Sequence, residues 1–457
     1  MSSNDVDSVT EQGPWWKGLT SYHWFVFAMA SMAWVFDCLD QQVFILVRKE
    51  ALDALLTSGE SRTYSGYATS VFMIGWATGG LIFGSIGDRI GRAKTLAITV
   101  FLYSVCTGLS AFSQGWIDFF VYRFITGLGV GGVFGLAVAL VADSLPERSR
   151  SAALGWLQAL SAIGNITAGV MSMTIAWMGR SGWIDPKNGW KIMFLFGAIP
   201  AFLCFFIQWQ LKEPEKWVKA REEGRKTGVA FGSYSSLLGE ARWRWSAIGG
   251  LLLCVAGVVG VWGIGFFAPD LIDGVVEIQL TKEGASPDEI KIGKAWWKGI
   301  SGIIQNIGAF FGMLTFAYVC QHIGRKNAFR IGFVAAMFAT ILYFQTFNGI
   351  STIWLSGVMG FCQLALFAGF AVYLPELFPT RLRSTGTSFC YNVGRYIAAT
   401  GPITLASLQS YLAPKDSAPD VKLQAFRMAC TYMSFFFLIR LLALFLLPET
   451  KGKPLPE

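Results

Sequence analysis

Residues 84–94 read Gly84-Ser-Ile-Gly-Asp88-Arg89-Ile-Gly91-Arg92-Ala-Lys94, a polar, glycine-bearing turn set between two apolar runs. Part of it returns later in the chain. Gly-Asp-Arg-Ile-Gly-Arg at 87–92 recurs as Cys-Gln-His-Ile-Gly-Arg at 320–325, and Pro146-Glu-Arg-Ser-Arg-Ser151 recurs as Pro379-Thr-Arg-Leu-Arg-Ser384. Both pairs are offset by 233 residues. One offset shared by two separate motifs marks an internal duplication. The chain therefore reads as two parallel halves, a plan in which a binding site lies between the halves near the bilayer midplane.

Working outward, a spanning helix needs about 20 apolar residues. Twelve segments qualify: 22–47, 64–87, 94–113, 116–142, 151–178, 190–210, 245–269, 297–319, 328–347, 351–375, 385–411 and 423–447. Composition agrees. Of the 457 residues 53% are hydrophobic and 14% charged, and the mean hydropathy is +0.48. That is too little charge for the surface of ordinary soluble domains. The 38 Phe and 18 Trp are too much apolar surface for a disordered chain. The expected fold class is an all-α integral membrane protein with twelve transmembrane helices in two six-helix, pseudo-symmetric bundles.

The net charge is +8, but the basic residues lie in short gaps between apolar runs, which fits topology control and not nucleic-acid binding. Counting residues at span ends with the adjoining loop, 21 Lys and Arg fall on the side of both termini and 12 on the other, with Arg123, Arg395, Arg427 and Arg440 inside spans. The positive-inside rule then places both termini in the cytoplasm of a cell (inner or plasma) membrane. The expected division is a tail at 1–21, a first bundle at 22–210, an inter-bundle loop at 211–244, a second bundle at 245–447 and a tail at 448–457. The eight Cys all lie in apolar runs, none as CxxC, and the chain has two His. No metal site, disulfide framework or cofactor is expected. Trp15-Trp16-Lys17-Gly18 and Trp296-Trp297-Lys298-Gly299 read as interfacial anchors, and 270–298 as a long, charged outer loop.

The turn at 84–94 resembles the signature loop between helices two and three of the major facilitator superfamily. Arg123-Phe-Ile-Thr-Gly127-Leu-Gly129-Val-Gly131-Gly132 resembles that family's helix-four motif. Leu447-Pro448-Glu449-Thr450-Lys451-Gly452 is similar to the terminus of its sugar-porter and organic-ion branches. Asp37-Cys-Leu-Asp40 in helix one, and Tyr373 to Arg381 with Gly394-Arg395, are similar to the proton-coupled aromatic-acid, sialate and lactate symporters. The chain departs from the pattern at Gln321 and His322, where the first signature loop has Asp88 and Arg89. The resemblance implies proton coupling through helix one and Arg123. It also implies a cytoplasmic gate formed by Gly84, Asp88, Arg89, Gly91 and Arg92, joined by Glu147, Arg148, Arg150, Glu376, Arg381 and Arg383. Contact of these arginines with lipid headgroups is the plainer alternative. Asp88 could cap the helix after it or face the N-terminus of helix eleven, where the helix dipole favours an anion.

The ionisable residues inside spans carry the chemistry. Asp37 and Asp40 are three apart and share a helix face. Asp37 lies about 16 Å in from the outer end at roughly 1.5 Å per residue. Carboxylates at that depth must be paired, protonated or hydrated, so at least one is expected to carry a proton or couple to cargo; the alternative is that one only neutralises Arg123. Arg395 lies about 18 Å into helix eleven, near the bilayer centre. Having no acid on its own helix, it suits a carboxylate cargo held through a bidentate contact, or else an ion pair with another helix. Tyr391 and Asn392 sit one turn away and could complete a polar wall. Gln158, Asn165, Gln305 and Asn306 are further binding candidates or interhelical glue. Trp76, Trp262, Phe267 and Tyr373 could line an aromatic pocket. Asp270 and Asp273 repeat the Asp-x-x-Asp spacing at the same offset but read as outer-mouth residues.

The reading is a monomeric secondary transporter that carries a small organic anion together with protons by alternating access. A sugar or polyol porter is the alternative, and a non-transporting membrane receptor is the alternative of another class. Neither a nucleophile–base set nor a nucleotide loop is present, so an enzyme or an ATP-driven pump is not expected.

Overall fold

The computed structural model describes residues 14–56, 61–200, 210–398, 401–413 and 418–456, and these form helices with no strand among them. In order they are α1 (Ser21–Leu55), α2 (Ser61–Ile90), α3 (Arg92–Ser110), α4 (Trp116–Ser144), α5 (Glu147–Ala159), α6 (Ser161–Arg180), α7 (Gly189–Phe196), α8 (Glu215–Thr227), α9 (Tyr234–Gly239) and α10 (Ala241–Val258). There follow α11 (Ala268–Lys282), α12 (Pro287–Ile323), α13 (Arg325–Thr346), α14 (Leu355–Tyr373), α15 (Arg383–Ala398), α16 (Gly401–Leu412), α17 (Pro419–Ser434) and α18 (Arg440–Leu446). Helices prevail because a backbone in lipid must satisfy its own hydrogen bonds. Ten helices among the described residues are long and apolar enough to cross a membrane. They match ten of the twelve expected spans. The sixth runs into residues 201–209 and the eleventh across 399–400, which lie outside the described residues, as do most of the expected N-terminal tail and Cys204.

Three spans are less regular than their apolar runs suggest. The fifth breaks at Leu160 between α5 and α6. The seventh passes from α10 into a π-helical turn at Val259–Ile264 and a 3₁₀ turn at Gly265–Phe267. The twelfth has a 3₁₀ turn at Phe435–Ile439. The segment read as a long outer loop is mostly helical: α11 continues to Lys282, and α12 begins at Pro287 behind a capping box of Ser286 and Glu289. Asp270 and Asp273 are thus helical, and Asp273–Lys298 (3.1 Å) and Glu277–Lys294 (2.6 Å) tie the two helices together. The inter-bundle segment holds α8 and α9 rather than plain loop.

Close approach sets the core of the first half. The helices α2 and α4 cross so tightly that a Cβ on Gly131 would lie 2.0 Å from the Trp76 carbonyl oxygen. Between the halves there are two seams. Along one, α2 and α4 meet α15, with Gly84 and Gly135 leaving room for Ser388 and Gly80 for Asn392. Along the other, α5 and α6 meet α12 and α14 through small residues, Gly155 on Ala317 and Ala159 with Ala309, Met313 and Ala368.

Candidate functional site

The first seam brings the central polar residues together. Arg395, 2% exposed, is carried on α15 with its guanidinium between two rings, 3.9 Å from the Trp76 centroid and 4.2 Å from that of Tyr391. Such stacking suits arginine's flat, weakly hydrated cation. Its Nη1 donates to the Tyr391 carbonyl (2.9 Å) and to Asn392 Oδ1 (3.1 Å), while Nε has no partner among the described residues. Tyr391 in turn stacks on Phe134 at 3.8 Å, and Trp76 meets Trp262 of the π turn edge-on at 5.7 Å. Asn392 Nδ2 donates to the Ser388 carbonyl on its own helix at 3.0 Å and, across the seam, to the Gly131 carbonyl at 3.4 Å.

Asp37 and Asp40 point into protein, each 0% exposed. Asp37 Oδ2 accepts from Gln41 Nε2 at 2.8 Å, and its Oδ1 has no partner among the described residues. It interacts electrostatically with both Asp40 and Arg395 but forms no direct ion pair among the described residues. Asp40 makes no hydrogen bond of good geometry among the described residues; the Arg123 charge and the Thr107 hydroxyl are the polar groups that act on it. Arg123 on α4 is held by α3: Ser110 Oγ accepts from Nη2 (2.7 Å) and Nε (3.1 Å), and Thr107 Oγ1 accepts at 3.1 Å. The Phe194 ring lies 4.7 Å away and Phe44 5.5 Å away. Arg123 is thus boxed by hydroxyls and rings, not locked to an aspartate. Two buried carboxyls therefore stand between two buried arginines, none of the four in a closed ion pair among the described residues.

The other polar candidates divide. Asn165 Nδ2 donates to Asn306 Oδ1 (3.1 Å) across the second seam. Gln158 is buried there with its Oε1 unpartnered among the described residues, and Gln305 is half-buried. Tyr373 does not reach the central cluster: its hydroxyl donates to the Pro448 carbonyl at the other end of the molecule. Phe267 packs with the outer cluster of α11.

At that end the signature loops form two networks. Asp88 faces the N-terminus of α15, accepting from the backbone N–H of Thr385 (2.8 Å) and Ser384 (3.2 Å) and from Thr385 Oγ1 (2.7 Å). It also accepts from Arg92 Nη2 at 3.2 Å. Arg92 and Arg383 share Asp143, the last acid of α4, in fully buried ion pairs. In the second network Arg325 grips Glu376 with Nε (3.0 Å) and Nη2 (2.7 Å) and reaches Ser151 Oγ at 2.8 Å. Arg150 is buried beside them as an electrostatic neighbour of Glu376. Glu147 and Arg148 are exposed at the start of α5, and exposed Arg89 donates to the Gly232 carbonyl at 3.3 Å. Arg381 pairs with Glu240 at 2.8 Å rather than joining the buried set.

Gly91 (φ +124°) and Gly324 (φ +88°) adopt backbone angles that favour glycine and open α3 and α13. Neither helix is capped by its own signature loop. Glu213 accepts from the N–H groups of Arg92 (2.7 Å), Ala93 (3.3 Å) and Lys94 (3.1 Å), and Glu449 from those of Arg325 (2.9 Å) and Lys326 (3.0 Å). Burial alone would raise the Glu449 carboxyl, but backbone donors from Arg325, Lys326, Lys451 and Thr450 outweigh it and hold it below the usual glutamate range. Sequence reasoning missed Asp143, Glu213, Gln41, Arg325 and the capping role of Glu449. The one usable signal was the offset itself, since Asp143 lies 233 residues before Glu376 and Arg92 the same distance before Arg325.

The family model described as Major Facilitator Superfamily matches residues 24–402. The chain is 26% identical over 403 residues to the sialic acid transporter of Escherichia coli, covering 87% of this chain and 89% of that one. It is 25% identical over 359 residues to the cis,cis-muconate transport protein of Acinetobacter baylyi, covering 77% and 79%. Among solved structures, the proton:xylose symporter bound to 6-bromo-6-deoxy-D-glucose superposes with a TM-score of 0.69 at 20% identity, over 95% of this chain and 98% of that one. At that identity the likeness concerns the fold.

Proposed function

The chain belongs to the major facilitator superfamily, and from that premise we propose that this transporter moves a small organic anion, a carboxylate, together with protons by alternating access. The observation that carries the proposal is Arg395. It is buried near the bilayer centre between Trp76 and Tyr391, with one donor unpartnered and no carboxylate paired to it among the described residues. A permanent cation in that place calls for an anion. A cargo carboxylate would take the unpartnered Nε of the guanidinium, with Tyr391 and Asn392 beside it and Gln158, Asn165, Gln305 and Asn306 along the second seam as further proposed contacts. A neutral sugar would bring no counter-charge to Arg395 beyond that of Asp37. The Pro448-Glu449-Thr450 run that points to sugar porters has a separate explanation as a helix cap.

Asp37 and Asp40 with Arg123 are the proposed proton-coupling set. While Arg395 lacks cargo, its charge faces the Asp37 carboxyl. Once an anion occupies Arg395, neutralising Asp37 with a proton removes the like-charge conflict. Cargo and proton would then bind together, which is symport. The signature-loop networks are the gate on one side, which the Lys and Arg distribution assigns to the cytoplasm, with both termini there and the protein in the inner or plasma membrane. The halves 22–210 and 245–447 are the proposed rocking units. The site lies within one chain, so a monomer suffices. Organic acids named for the relatives, sialic acid and muconate, are carboxylates and support the class.

The test is a thermal-shift screen of purified protein against monocarboxylates, dicarboxylates and sugars at pH 5.5 and 7.5, since a ligand that binds the folded state raises stability by mass action. The reading expects a carboxylate hit that Arg395→Gln abolishes. A sugar hit that survives Arg395→Gln would contradict it.

A further inference from the structure

On the face opposite the signature loops, the end of α3 and the outer part of α7 enclose a pocket of about 330 Å³ lined by Ala111, Phe112, Ser113, Gln114, Lys191 and Leu195. It lies apart from the central cluster and from both gate networks. Three features give it a chemical character. Lys191 is exposed at its rim, with its ammonium 5.5 Å from the Trp190 ring and no ion-pair partner among the described residues. Ser113 is 7% exposed, and its hydroxyl has no hydrogen-bond partner among the described residues. Phe112 and Leu195, 67% and 45% exposed, present apolar surface beside these polar groups. The neighbouring acid, Asp118, is occupied in capping α4, accepting from the backbone N–H of Gln114 (2.7 Å) and Gly115 (2.9 Å).

We propose that this pocket binds the headgroup of an anionic phospholipid in the leaflet away from the signature loops. Lys191 meets the phosphate, the Ser113 hydroxyl and Gln114 amide donate to its oxygens, and Phe112 and Leu195 lie along the acyl chains. Trp116, 37% exposed at the start of α4, is an aromatic residue of the kind that sits at the membrane interface.

The location gives the lipid leverage. Its walls are the two elements that box Arg123: Ser110, next to Ala111, accepts from Arg123 at 2.7 Å, and Phe194, next to Leu195, lies 4.7 Å from its guanidinium. The helices meet without slack there, since a Cβ on Gly197 would lie 2.0 Å from Thr107 Cγ2. A bound lipid therefore fixes the α3–α7 contact on which Arg123 rests.

The experiment is thermal unfolding of the detergent-purified full chain titrated with dihexanoyl-phosphatidylglycerol, read without any transport assay. The expected result is a saturable rise in the midpoint for wild type. Its apparent affinity falls at least fivefold in Lys191→Gln, two- to threefold in Ser113→Ala, and not at all in Lys187→Gln, an exposed lysine outside the pocket. An equal response in wild type and Lys191→Gln would overturn the proposal, as would an equal loss in Lys187→Gln. The same saturable rise with inorganic phosphate would make it a free-anion site, and with dihexanoyl-phosphatidylcholine a site indifferent to charge; either result also overturns it.

Discussion

The two signature-loop corners come from one repeat and carry different charge. At the first, Arg92 and Arg383 share Asp143, and Asp88 reaches the N-terminus of α15. At the second, Arg325 and Arg150 stand around Glu376, and the position equivalent to Asp88 is Gln321. The reason lies in the helix each loop faces. After Pro379 the chain makes a 3₁₀ turn at Thr380–Leu382, so α15 starts at Arg383 and leaves the Ser384 and Thr385 N–H groups free for Asp88. After Pro146, α5 starts at once with Glu147, and Ser151 already lies past its first turn. An N–H inside a helix is spoken for, so a carboxylate at 321 would not find at Ser151 the free donor that Asp88 finds at Ser384.

The comparison breaks most sharply at the shared acids. Asp143→Asn should destabilise by about 3–5 kcal/mol, because it leaves the fully buried Arg383 without a counter-charge and Arg92 with Asp88 alone. Glu376→Gln should cost less, roughly 2–3 kcal/mol, since Arg325 keeps the Cys320 carbonyl and Ser151. Thermal unfolding in detergent ranks the two, and equal losses would mean the corners are equivalent. Asp88→Asn should follow at about 1–2 kcal/mol, from a lost helix-terminus charge. It should also raise the reactivity of a cysteine placed at Ser388, which the closed seam now buries.

Glu449→Gln should cost about 1 kcal/mol, as for a lost helix cap. The carboxyl is depressed in the folded protein, so its contribution is present above the ordinary glutamate pKa and fades as pH falls below that value towards the folded one. Wild type and variant should therefore converge in midpoint as the pH drops below about 4.3, and a constant difference would assign Glu449 no capping role. The smallest effect sharpens the argument from the other side: Gln321→Asp should change stability by no more than about 0.5 kcal/mol. A gain of more than 1 kcal/mol would show that α5 does offer a free N-terminus.

Much of this was legible in the sequence. Apolar runs and a single repeat offset carry the fold, because lipid demands long helices and duplication preserves spacing. Asp37, Asp40, Arg123 and Arg395 declare themselves because a charge inside an apolar run is rare. What stayed hidden depends on geometry that composition does not encode. The π turn at 259–264 and the 3₁₀ turn at 435–439 have the same apolar residues as an ordinary helix. Asp143 and Glu213 sit at span ends, where acids are common and only the packing of another helix gives them a role. Glu449 was visible as a family terminus, but its capping of α13 depends on the chain folding back across the gate.

The central claim is that cargo anion and proton are linked through Arg395 and Asp37. Its most direct test is uptake of the carboxylate found in the ligand screen into proteoliposomes, with and without an inward proton gradient, for wild type and Asp37→Asn. Gradient-driven accumulation in wild type, reduced in Asp37→Asn to equilibration that ignores the gradient, is the predicted result. Accumulation by Asp37→Asn with the proton dependence of wild type would contradict the account.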